Sequence, residues 1–296
     1  MKTGFVSILG RPNAGKSTLL NAVLGQKLAI VTAKPQTTRT SIQGVVTADD
    51  YQIVFVDTPG IHRSNTLLNK RMMDTVRASA QADVVLFLID VMEPVTQEDL
   101  EAIDLVKRLK APAIAVLNKI DKLHDKAKLL AIIETLKEAH EFAEFIPLSA
   151  AKNKGVDVLL KEIVKRLPEG EPMYPEDHLT DQPSRFLAAE ILREKILHHT
   201  GQEVPHACAV QVESWVETPK LIKIAATIYV EKAGQKAILI GAGGALLKKI
   251  GTLARFEMEA AFERKIFLQT FVKVKANWRQ DPEFLAAIDW RGQSGE

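Results

Sequence analysis

The feature that most constrains the fold is the glycine-rich segment from Gly10 to Ser17, which reads GRPNAGKS. An apolar run, Phe5 to Leu9, precedes it, and an apolar-rich segment that stops at Gly25 follows it. This order predicts a strand, a phosphate-binding loop and a helix. Glycines let successive backbone N–H groups point at one anion, and the helix N-terminus adds unpaired donors and a positive dipole end.

The loop pattern GxxxxGK[ST] assigns roles to individual residues. Lys16 is predicted to reach the β- and γ-phosphates, and the Ser17 hydroxyl is predicted to ligate Mg²⁺. The residues of this loop expected to contact the nucleotide are Gly10, Asn13, Ala14, Gly15, Lys16, Ser17 and Thr18.

The rest of the first half alternates strand-like and helix-like segments. Ile42 to Thr47 and Gln52 to Val56 flank a turn-forming Ala-Asp-Asp and are predicted to pair as a hairpin. Three further runs are nearly continuous and apolar, as strands buried on both faces are. They are Asp83 to Asp90, Ala113 to Leu117 and Phe145 to Leu148. We predict an α/β fold with a mostly parallel sheet and helices on both faces, and a ligand at the carboxyl ends of the strands.

One predicted strand ends in Asp57-Thr58-Pro59-Gly60, a DxxG arrangement. A carboxylate at Asp57 can hold Mg²⁺ through water. The Gly60 N–H can approach a γ-phosphate closely because no side chain stands in the way. Both residues are therefore candidates for the triphosphate site.

The next two strand ends indicate which base is bound. Asn118-Lys119-Ile120-Asp121 is an NKxD arrangement, and a carboxylate at Asp121 can accept two hydrogen bonds from the N1–H and the exocyclic amine of guanine. Adenine presents an acceptor at that ring position. The segment Ser149-Ala150-Ala151-Lys152 can offer backbone donors to the guanine oxygen. These motifs predict GTP and GDP as ligands.

Composition sets outer limits on the class of protein. The 296 residues suffice for two domains with separate cores. No apolar run approaches the ~20 residues of a membrane span, and the first strand begins too early to leave room for a signal peptide. A single cysteine, Cys208, excludes an internal disulfide framework and fits a reducing cytoplasm, and we expect it to be buried. We therefore expect a cytoplasmic protein.

The segment Pro168 to Arg185 contains four prolines and several acids without a sustained pattern, which predicts a linker or draped connector. We place the domains at 1–168 and 186–296, with 169–185 as the linker. Beyond it the predicted order is α-β-β-α-α-β. The predicted elements are Phe186 to His198, Ala207 to Trp215, Ile222 to Val230, a helix within Ile238 to Gly251 that Gly251 closes, Thr252 to Lys265, and Phe267 to Val274.

A GxxG loop lies in the helical part of this second half and comprises Gly241, Ala242, Gly243 and Gly244. Residues 232–279 hold ten Lys and Arg against three Glu, a local charge of +7 that favours polyanion binding. The order and the loop resemble a K-homology domain of the bacterial type (type II), an RNA-binding module. This implies that single-stranded RNA passes the loop while its bases lie in an apolar groove. Ala242 stands where such domains usually carry lysine, so Lys248 and Lys249 are candidates for that phosphate contact.

Over essentially its full length the chain resembles the Era GTPases. The segment Lys34 to Thr40, KPQTTRT, resembles their first switch, in which a threonine joins Mg²⁺. We assign this role to Thr38, with Thr37 as the alternative. Ile61 follows Gly60 where many GTPases place a water-orienting glutamine, which predicts slow intrinsic hydrolysis. The catalytic set is therefore Lys16, Thr38 and Gly60, and the metal set is Ser17, Thr38 and Asp57.

Two further residues leave alternatives open. In GTPases that resemble this one, an asparagine at the position of Asn13 helps bind K⁺ beside the phosphates; a purely turn-stabilising asparagine is an equal alternative. His62 could act as a general base, but a solvated surface histidine is the more frequent case.

The resemblance implies a GTPase that binds the 3′ end of small-subunit ribosomal RNA and assists assembly of that subunit. It also implies peripheral membrane association for some members, and we expect a monomer. One alternative is a passive RNA-binding module with structural GTP and negligible turnover. A second alternative is a tRNA-modifying or iron-transport GTPase. It is disfavoured because tRNA-modifying GTPases lack this tail module and iron-transport GTPases need transmembrane helices.

Overall fold

The computed structural model describes residues 1–34, 37–60, 67–68, 72, 82–201 and 203–289. The described residues up to 181, apart from 67–68, form one compact unit, and residues 67–68 with 182–289 form a second. The first unit carries the glycine loop, and the second carries the GxxG loop.

The elements of the first unit follow the alternation that the sequence predicts. The strands are β1 Lys2–Gly10, β2 Ile42–Thr47, β3 Tyr51–Asp57, β4 Val84–Asp90, β5 Ala113–Asn118 and β6 Glu144–Leu148. The helices in the described part are α1 Lys16–Leu24, α2 Gln97–Lys107, α3 Lys126–Ala139 and α4 Val156–Arg166. Each predicted strand is present; β1 begins three residues before the predicted run, and the other bounds differ by at most one residue.

Among the described residues these strands form a six-stranded sheet in the order β2-β3-β1-β4-β5-β6. Every neighbouring pair is parallel except the β2–β3 hairpin, in which Val45 pairs with Val54. The fold prediction is confirmed. Phe87 and Ile89 of β4 pack with Ile103 of α2 and Leu136 of α3 in one buried cluster. The parallel strands end together beside the glycine loop, which positions the site.

Residues 169–181, predicted as a linker or draped connector, are bonded to the first unit. The buried side chain of Gln52 accepts from the backbone N–H groups of Met173 and Tyr174 at 2.7 and 3.0 Å and donates to the carbonyl of Tyr174 at 2.9 Å. The Val45 N–H of β2 donates to the carbonyl of Leu179 at 2.8 Å. This segment therefore lies along β2 as a fixed strap, which we call the connector strap.

The second unit has the predicted α-β-β-α-α-β order with two short additions. Its elements are α5 Ser184–His199, α6 Val204–Ala207, β7 Ala209–Glu217, β8 Ile222–Val230, α7 Ala233–Ile240, α8 Ala245–Phe262, β9 Ile266–Val274 and α9 Pro282–Ala287. The strands form a three-stranded sheet in the order β7-β8-β9 within 203–289, with β8 and β9 parallel. Leu192 of α5, Ile228 of β8 and Met258 of α8 belong to its buried core. Cys208 is buried, as expected.

The prediction that Gly251 ends a helix is wrong. The chain breaks earlier, at Gly241 to Gly244, and α8 then runs through Gly251 without interruption. Gly241, Gly243 and Gly244 all have positive φ (72°, 57° and 81°), a backbone that other residues rarely adopt. A Cβ at Gly251 would lie 3.8 Å from Thr270 Oγ1, an ordinary contact. A glycine within a helix costs only about 1 kcal/mol, which the packing of α8 offsets.

Within the described residues, no single helix has the length and apolar character needed to cross a membrane. By length and composition alone, the bent helix pair over 233–262 passes that test as a pair.

Candidate nucleotide site and nucleic-acid interface

A cavity of about 420 Å³ lies in the first unit where the glycine loop meets the carboxyl ends of the strands. Most of the predicted nucleotide-binding residues line it. They are Asn13, Gly15, Lys16, Ser17, Thr18, Thr38, Gly60, Asn118, Lys119 and Asp121. The structure therefore gathers residues that are up to 108 positions apart in the sequence into one site.

Lys16 opens α1 and is almost fully buried. Its ammonium donates to the carbonyls of Gly10 and Arg11 at 3.0 and 2.9 Å. Burial lowers the pKa of Lys16 to about 8, although the nearby Asp57 carboxylate opposes this shift. The cation is thus held at the loop in a poorly solvated place where an anionic ligand would stabilise its charge.

Three side-chain oxygens converge beside Lys16. Ser17 Oγ donates to Asp57 Oδ2 at 2.7 Å and lies 2.8 Å from Thr38 Oγ1, which in turn donates to the same Oδ2 at 3.3 Å. The Thr37 hydroxyl bonds Thr32 Oγ1 and the carbonyl of Lys34 instead. The geometry therefore supports Thr38 over Thr37 for the cluster.

The Asp57 carboxylate is fully buried at the end of β3. Burial raises its pKa to about 6, while Lys16 and the Ser17 and Thr38 hydroxyls act in the opposite direction. Its Oδ1 is buried and has no hydrogen-bond partner among the described residues. A buried carboxylate oxygen of this kind matches the hard, oxygen-preferring chemistry of Mg²⁺.

Two glycines of the site are required by packing. A Cβ on Gly15, whose φ is +101°, would lie 2.2 Å from Asn118 Nδ2. A Cβ on Gly60 would lie 2.7 Å from the backbone nitrogen of Pro12, so the DxxG loop passes directly against the glycine loop. Any side chain at either position forces the loops apart.

Asn118 joins three segments. It is buried, and its Nδ2 donates to the carbonyl of Ala14 at 2.9 Å. Its Oδ1 accepts from the N–H groups of Lys119 and Ala150 at 2.8 and 3.1 Å. The asparagine of the NKxD motif therefore connects the glycine loop to the segment after β6 through hydrogen bonds.

Asp121 lines the end of the cavity predicted to read the base, and the fully buried Ser149 contacts it from outside the cavity. Ser149 Oγ donates to Asp121 Oδ1 at 2.5 Å, and this hydrogen bond is the main reason that the pKa of Asp121 is lowered. The carboxylate is therefore ionised at neutral pH and oriented by Ser149.

Two predicted base-site residues, Ser149 and Ala150, do not line the cavity, whereas Ala151 does. The Ala150 N–H donates to Asn118 Oδ1 at 3.1 Å, and its role as a donor to the base stays a prediction. Sequence reasoning also did not assign the cavity-lining residues 30–33 and Lys122. No motif marks residues 30–33; they reach the cavity because Asn21 holds the N–H groups of Leu28 and Ala29 at 2.9 and 2.8 Å.

Asn13 has φ of +63°, and its Nδ2 donates to the carbonyl of Ala33 at 3.1 Å. Both facts agree with a turn-stabilising asparagine. The other residues singled out near the switches, Ile61 and His62, lie outside the described residues.

The GxxG loop of the second unit is an open surface. Gly244 lies at the N-terminus of α8, and a Cβ on Gly243 or Gly244 would meet no atom within 4 Å. The α8 N-terminus directs unpaired backbone donors outward at this point, where Ala242 is exposed. The arrangement can accept a backbone phosphate at close range.

Most of the positive charge counted from the sequence is locally neutralised. Seven of the ten basic residues of 232–279 make ion pairs, such as Arg264 with Glu217 at 2.9 Å and Lys275 with Asp281 at 2.8 Å. Within the described residues, Lys236, Lys248 and Lys249 have no acidic partner within 4 Å. Lys248 and Lys249 are exposed on the first turn and a half of α8, next to the GxxG loop.

Comparison with known proteins agrees with both sites. Residues 5–119 match the family model described as a 50S ribosome-binding GTPase, and residues 203–279 match that of the KH domain. The chain is 48% identical over 287 residues to GTPase Era of Syntrophus aciditrophicus, which covers 96% of this chain and 94% of that protein. The chain belongs to the Era GTPase family.

A second relative, Era of Ruminiclostridium cellulolyticum, is 46% identical over 98% of both chains. Two solved Era structures each have a TM-score of 0.95, 41% identity, and coverage of 98% of this chain and 99% of theirs. One is a complex of Era with MgGDPNP and nucleotides 1506–1542 of 16S ribosomal RNA. The other is a variant of Aquifex aeolicus Era bound to GDP·AlF4⁻. The resemblance inferred from the sequence is confirmed.

Proposed function

We propose that this Era GTPase binds Mg·GTP in the cavity of its first unit, hydrolyses it slowly to GDP and phosphate, and binds single-stranded RNA through its second unit. The observation that carries the nucleotide part is the convergence of the buried Lys16 ammonium with the Ser17 and Thr38 hydroxyls at one cavity, where both hydroxyls bond the buried Asp57 carboxylate behind them. A cation and a set of hard oxygen ligands side by side are what a triphosphate with its metal requires.

The residues present fit Mg²⁺. Asp57 Oδ1 is buried without a partner among the described residues, and the Ser17 and Thr38 hydroxyls meet at its other oxygen. We assign Ser17, Thr38 and Asp57 to the metal. When bound, Mg²⁺ neutralises charge that develops on the phosphate oxygens. Lys16 supplies a second positive charge, and the Gly60 N–H lies on a loop that is pressed against Pro12.

The base is read by Asp121, which Ser149 holds in place. An ionised carboxylate binds guanine because guanine offers two donors, the N1–H and the exocyclic amine. Adenine has an acceptor at the N1 position, so its lone pair would face the carboxylate charge. We assign Asn118 and Lys119 to the same end of the site, where Lys119 donates to the Asn13 carbonyl at 2.8 Å.

The chain supplies no glutamine after Gly60, so hydrolysis depends on electrostatic stabilisation by Lys16, Thr38 and the metal. We retain K⁺ as a cofactor at Asn13. If K⁺ binds there, hydrolysis is faster in potassium than in sodium, and Asn13→Ala removes the difference. Equal turnover in the two salts at the same ionic strength excludes the cation.

For RNA we assign Gly241 to Gly244 with Lys248 and Lys249, and we propose the 3′ end of small-subunit ribosomal RNA as the target. The support is the complex of a 41% identical Era with 16S nucleotides 1506–1542. The description of the matched GTPase model names the 50S subunit, but that model covers only residues 5–119 and none of the KH domain. A role in assembly of the small subunit follows, in the cytoplasm, where ribosomes assemble.

We propose residues 1–168 as the GTPase domain, 169–185 as the connection and 186–296 as the RNA-binding domain of a monomer. Peripheral membrane association, a trait of some family members, remains part of the proposal. The exposed Phe256 and Leu253 of α8 are apolar groups that such contact could use.

Turnover tests the function against a passive RNA-binding module with structural GTP. We expect multiple rounds of GTP hydrolysis per protein molecule, and loss of hydrolysis in Lys16→Ala, with an RNA affinity equal to that of the nucleotide-free parent. A protein that binds GTP at one equivalent and releases no phosphate over many bound-nucleotide lifetimes is the passive module.

A further inference from the structure

Two carboxylates on the segment from the end of β4 to the first turn of α2 contact the nucleotide-binding loops from outside the cavity. Asp99 is the first. It is almost fully buried, and its Oδ1 pairs with Arg11 Nε of the glycine loop at 2.7 Å. Its Oδ2 accepts from the backbone N–H and the hydroxyl of Thr96 at 2.8 and 3.0 Å. Both oxygens are therefore engaged, and the carboxylate is fixed to the N-terminus of α2.

Asp90 is the second. Its Oδ2 accepts from the ammonium of Lys119 at 2.5 Å, and its Oδ1 accepts from the Met92 N–H at 3.0 Å. The same ammonium donates to the Asn13 carbonyl of the glycine loop at 2.8 Å. The Val91 N–H donates to the Asn118 carbonyl at 3.1 Å. The base-reading loop is therefore tied to the end of β4 by side chain and backbone together.

These contacts hold residues of the two nucleotide-binding loops and do not reach the ligand site themselves. The Arg11 carbonyl accepts from Lys16 Nζ at 2.9 Å, so the ion pair with Asp99 holds the peptide that orients the phosphate-binding lysine. Lys119 is a member of the NKxD motif, so Asp90 holds part of the base-reading loop. Neither carboxylate lines the cavity itself.

We propose that Asp90 and Asp99 are positioning residues that preorganise the two nucleotide-binding loops; we call them, with the segment between them, the acidic brace. The inference rests on the proposed nucleotide site. A loop held in its binding geometry before the ligand arrives loses less conformational entropy on binding, and this raises affinity mainly through slower dissociation. The brace also explains why an arginine follows Gly10 in a loop whose backbone does the binding.

The two carboxylates act at different ends. Asp99 with Arg11 supports the phosphate end, whereas Asp90 with Lys119 supports the base end. Removing either charge is expected to speed GDP dissociation about 10-fold, which corresponds to about 1.4 kcal/mol of binding free energy. The contacts that touch the ligand stay in place, so base preference for guanine is retained.

The test measures dissociation of fluorescent GDP from the full chain by stopped flow. Asp99→Asn and Arg11→Ala are made singly and together. The asparagine amide leaves one of its two neighbours, Arg11 or Thr96, facing an N–H group, whereas Arg11→Ala leaves the Thr96 cap intact. We expect each single variant to speed dissociation about 10-fold and the double variant to be no faster than the faster single one, because both remove the same ion pair. Asp90→Asn is expected to act additively with them.

Asp104→Asn is the matched control, since Asp104 lies on the same helix, is exposed, and pairs only with Lys107 among the described residues. Loss of the Arg11 partner leaves the buried Asp99 carboxylate without its cation, so Arg11→Ala should lower the melting temperature of the nucleotide-free protein more than the control does. Dissociation is therefore measured well below the melting temperature of every variant, where all are folded. Dissociation rates of the brace variants equal to that of Asp104→Asn overturn the brace, while Asp121→Asn still loses GDP. Retention of GDP by Asp121→Asn contradicts the nucleotide site itself.

Discussion

The two glycine loops of this molecule share a local geometry and differ in everything around it. Each ends in a glycine of positive φ at a helix N-terminus, Gly15 with +101° before α1 and Gly244 with +81° before α8. A Cβ on Gly15 would collide with Asn118, whereas one on Gly244 would meet nothing within 4 Å. The first loop is enclosed by other parts of the chain, and the second is open to solvent.

The lysines beside the two loops differ in the same way. Lys16 is buried, bonded to two carbonyls and lowered in pKa to about 8. Lys248 and Lys249 are exposed, with no acidic partner within 4 Å among the described residues. The first loop therefore binds by short contacts in a desolvated cavity, and the second by electrostatic attraction that salt screens. The predictions below separate these two modes.

The largest effect is expected at the enclosed site. Asp121→Asn replaces the carboxylate that accepts from two guanine donors, each worth about 1.5–3 kcal/mol, so GTP affinity falls about 10²–10⁴-fold. Xanthosine triphosphate, which carries an accepting carbonyl oxygen where guanine has its exocyclic amine, should gain affinity for the variant. Competition titration of both nucleotides against fluorescent GDP measures this. Unchanged GTP affinity would refute the base assignment.

At the open loop, Gly243→Asp places a carboxylate where a phosphate must approach, with ample room for it. We expect loss of RNA binding and unchanged nucleotide affinity. Lys248→Ala and Lys249→Ala should each weaken RNA binding uniformly and reduce the slope of log affinity against log salt by about 0.7, the value for one contact to a single strand. Fluorescence anisotropy at several salt concentrations gives both quantities, with Lys236→Ala as a neighbouring cation for comparison. Full RNA affinity in Gly243→Asp would place the interface elsewhere.

A smaller effect is expected in stability. Because the pKa of Asp57 is raised from 3.8 to about 6, the folded state binds more protons than the unfolded state in this window, and stability falls as pH rises through it. The net shift, in which the attraction of Lys16 is already included, corresponds to roughly 3 kcal/mol. The variant should therefore be more stable than the parent when both are nucleotide-free above pH 6, and equal to it below pH 4. Urea unfolding at pH 4 and pH 7 checks the sign. A variant less stable at pH 7 contradicts the buried-charge account.

The enclosed site was largely predictable from sequence, because short motifs follow buried strands and parallel strands end at one edge. The sequence did not show which hydrogen bonds and ion pairs the individual residues make. The hydrogen bonds that Asn118 makes with Ala14 and Ala150, for example, follow from no motif. Asp90 and Asp99 carry no motif and are recognised only through their contacts with Lys119 and Arg11.

Around the open loop, prediction from the sequence failed for two other reasons. From sequence, a glycine inside a helix such as Gly251 cannot be distinguished from a glycine at a helix end without knowing that α8 packs on the sheet core. The charge of +7 overstated the free cations, since pairing partners such as Glu217 and Glu213 lie outside the counted segment. Long-range pairing is not visible in local charge density.

We propose that the guanine-nucleotide site and the RNA site of this chain are coupled. Within the first unit, the connector strap offers a route for this coupling. The strap is hydrogen-bonded to β2, and β2 begins four residues after Thr38. The last strap residues that are hydrogen-bonded to β2, Leu179 and Thr180, come just before α5 in the sequence. A coupling of ~1–3 kcal/mol would change RNA affinity ~5–150-fold. The decisive measurement is the affinity for single-stranded RNA at one fixed salt concentration with GDP, with a non-hydrolysable GTP analogue and without nucleotide. The account predicts tighter binding with the analogue and, reciprocally, tighter analogue binding with RNA; identical affinities in all three states would contradict it.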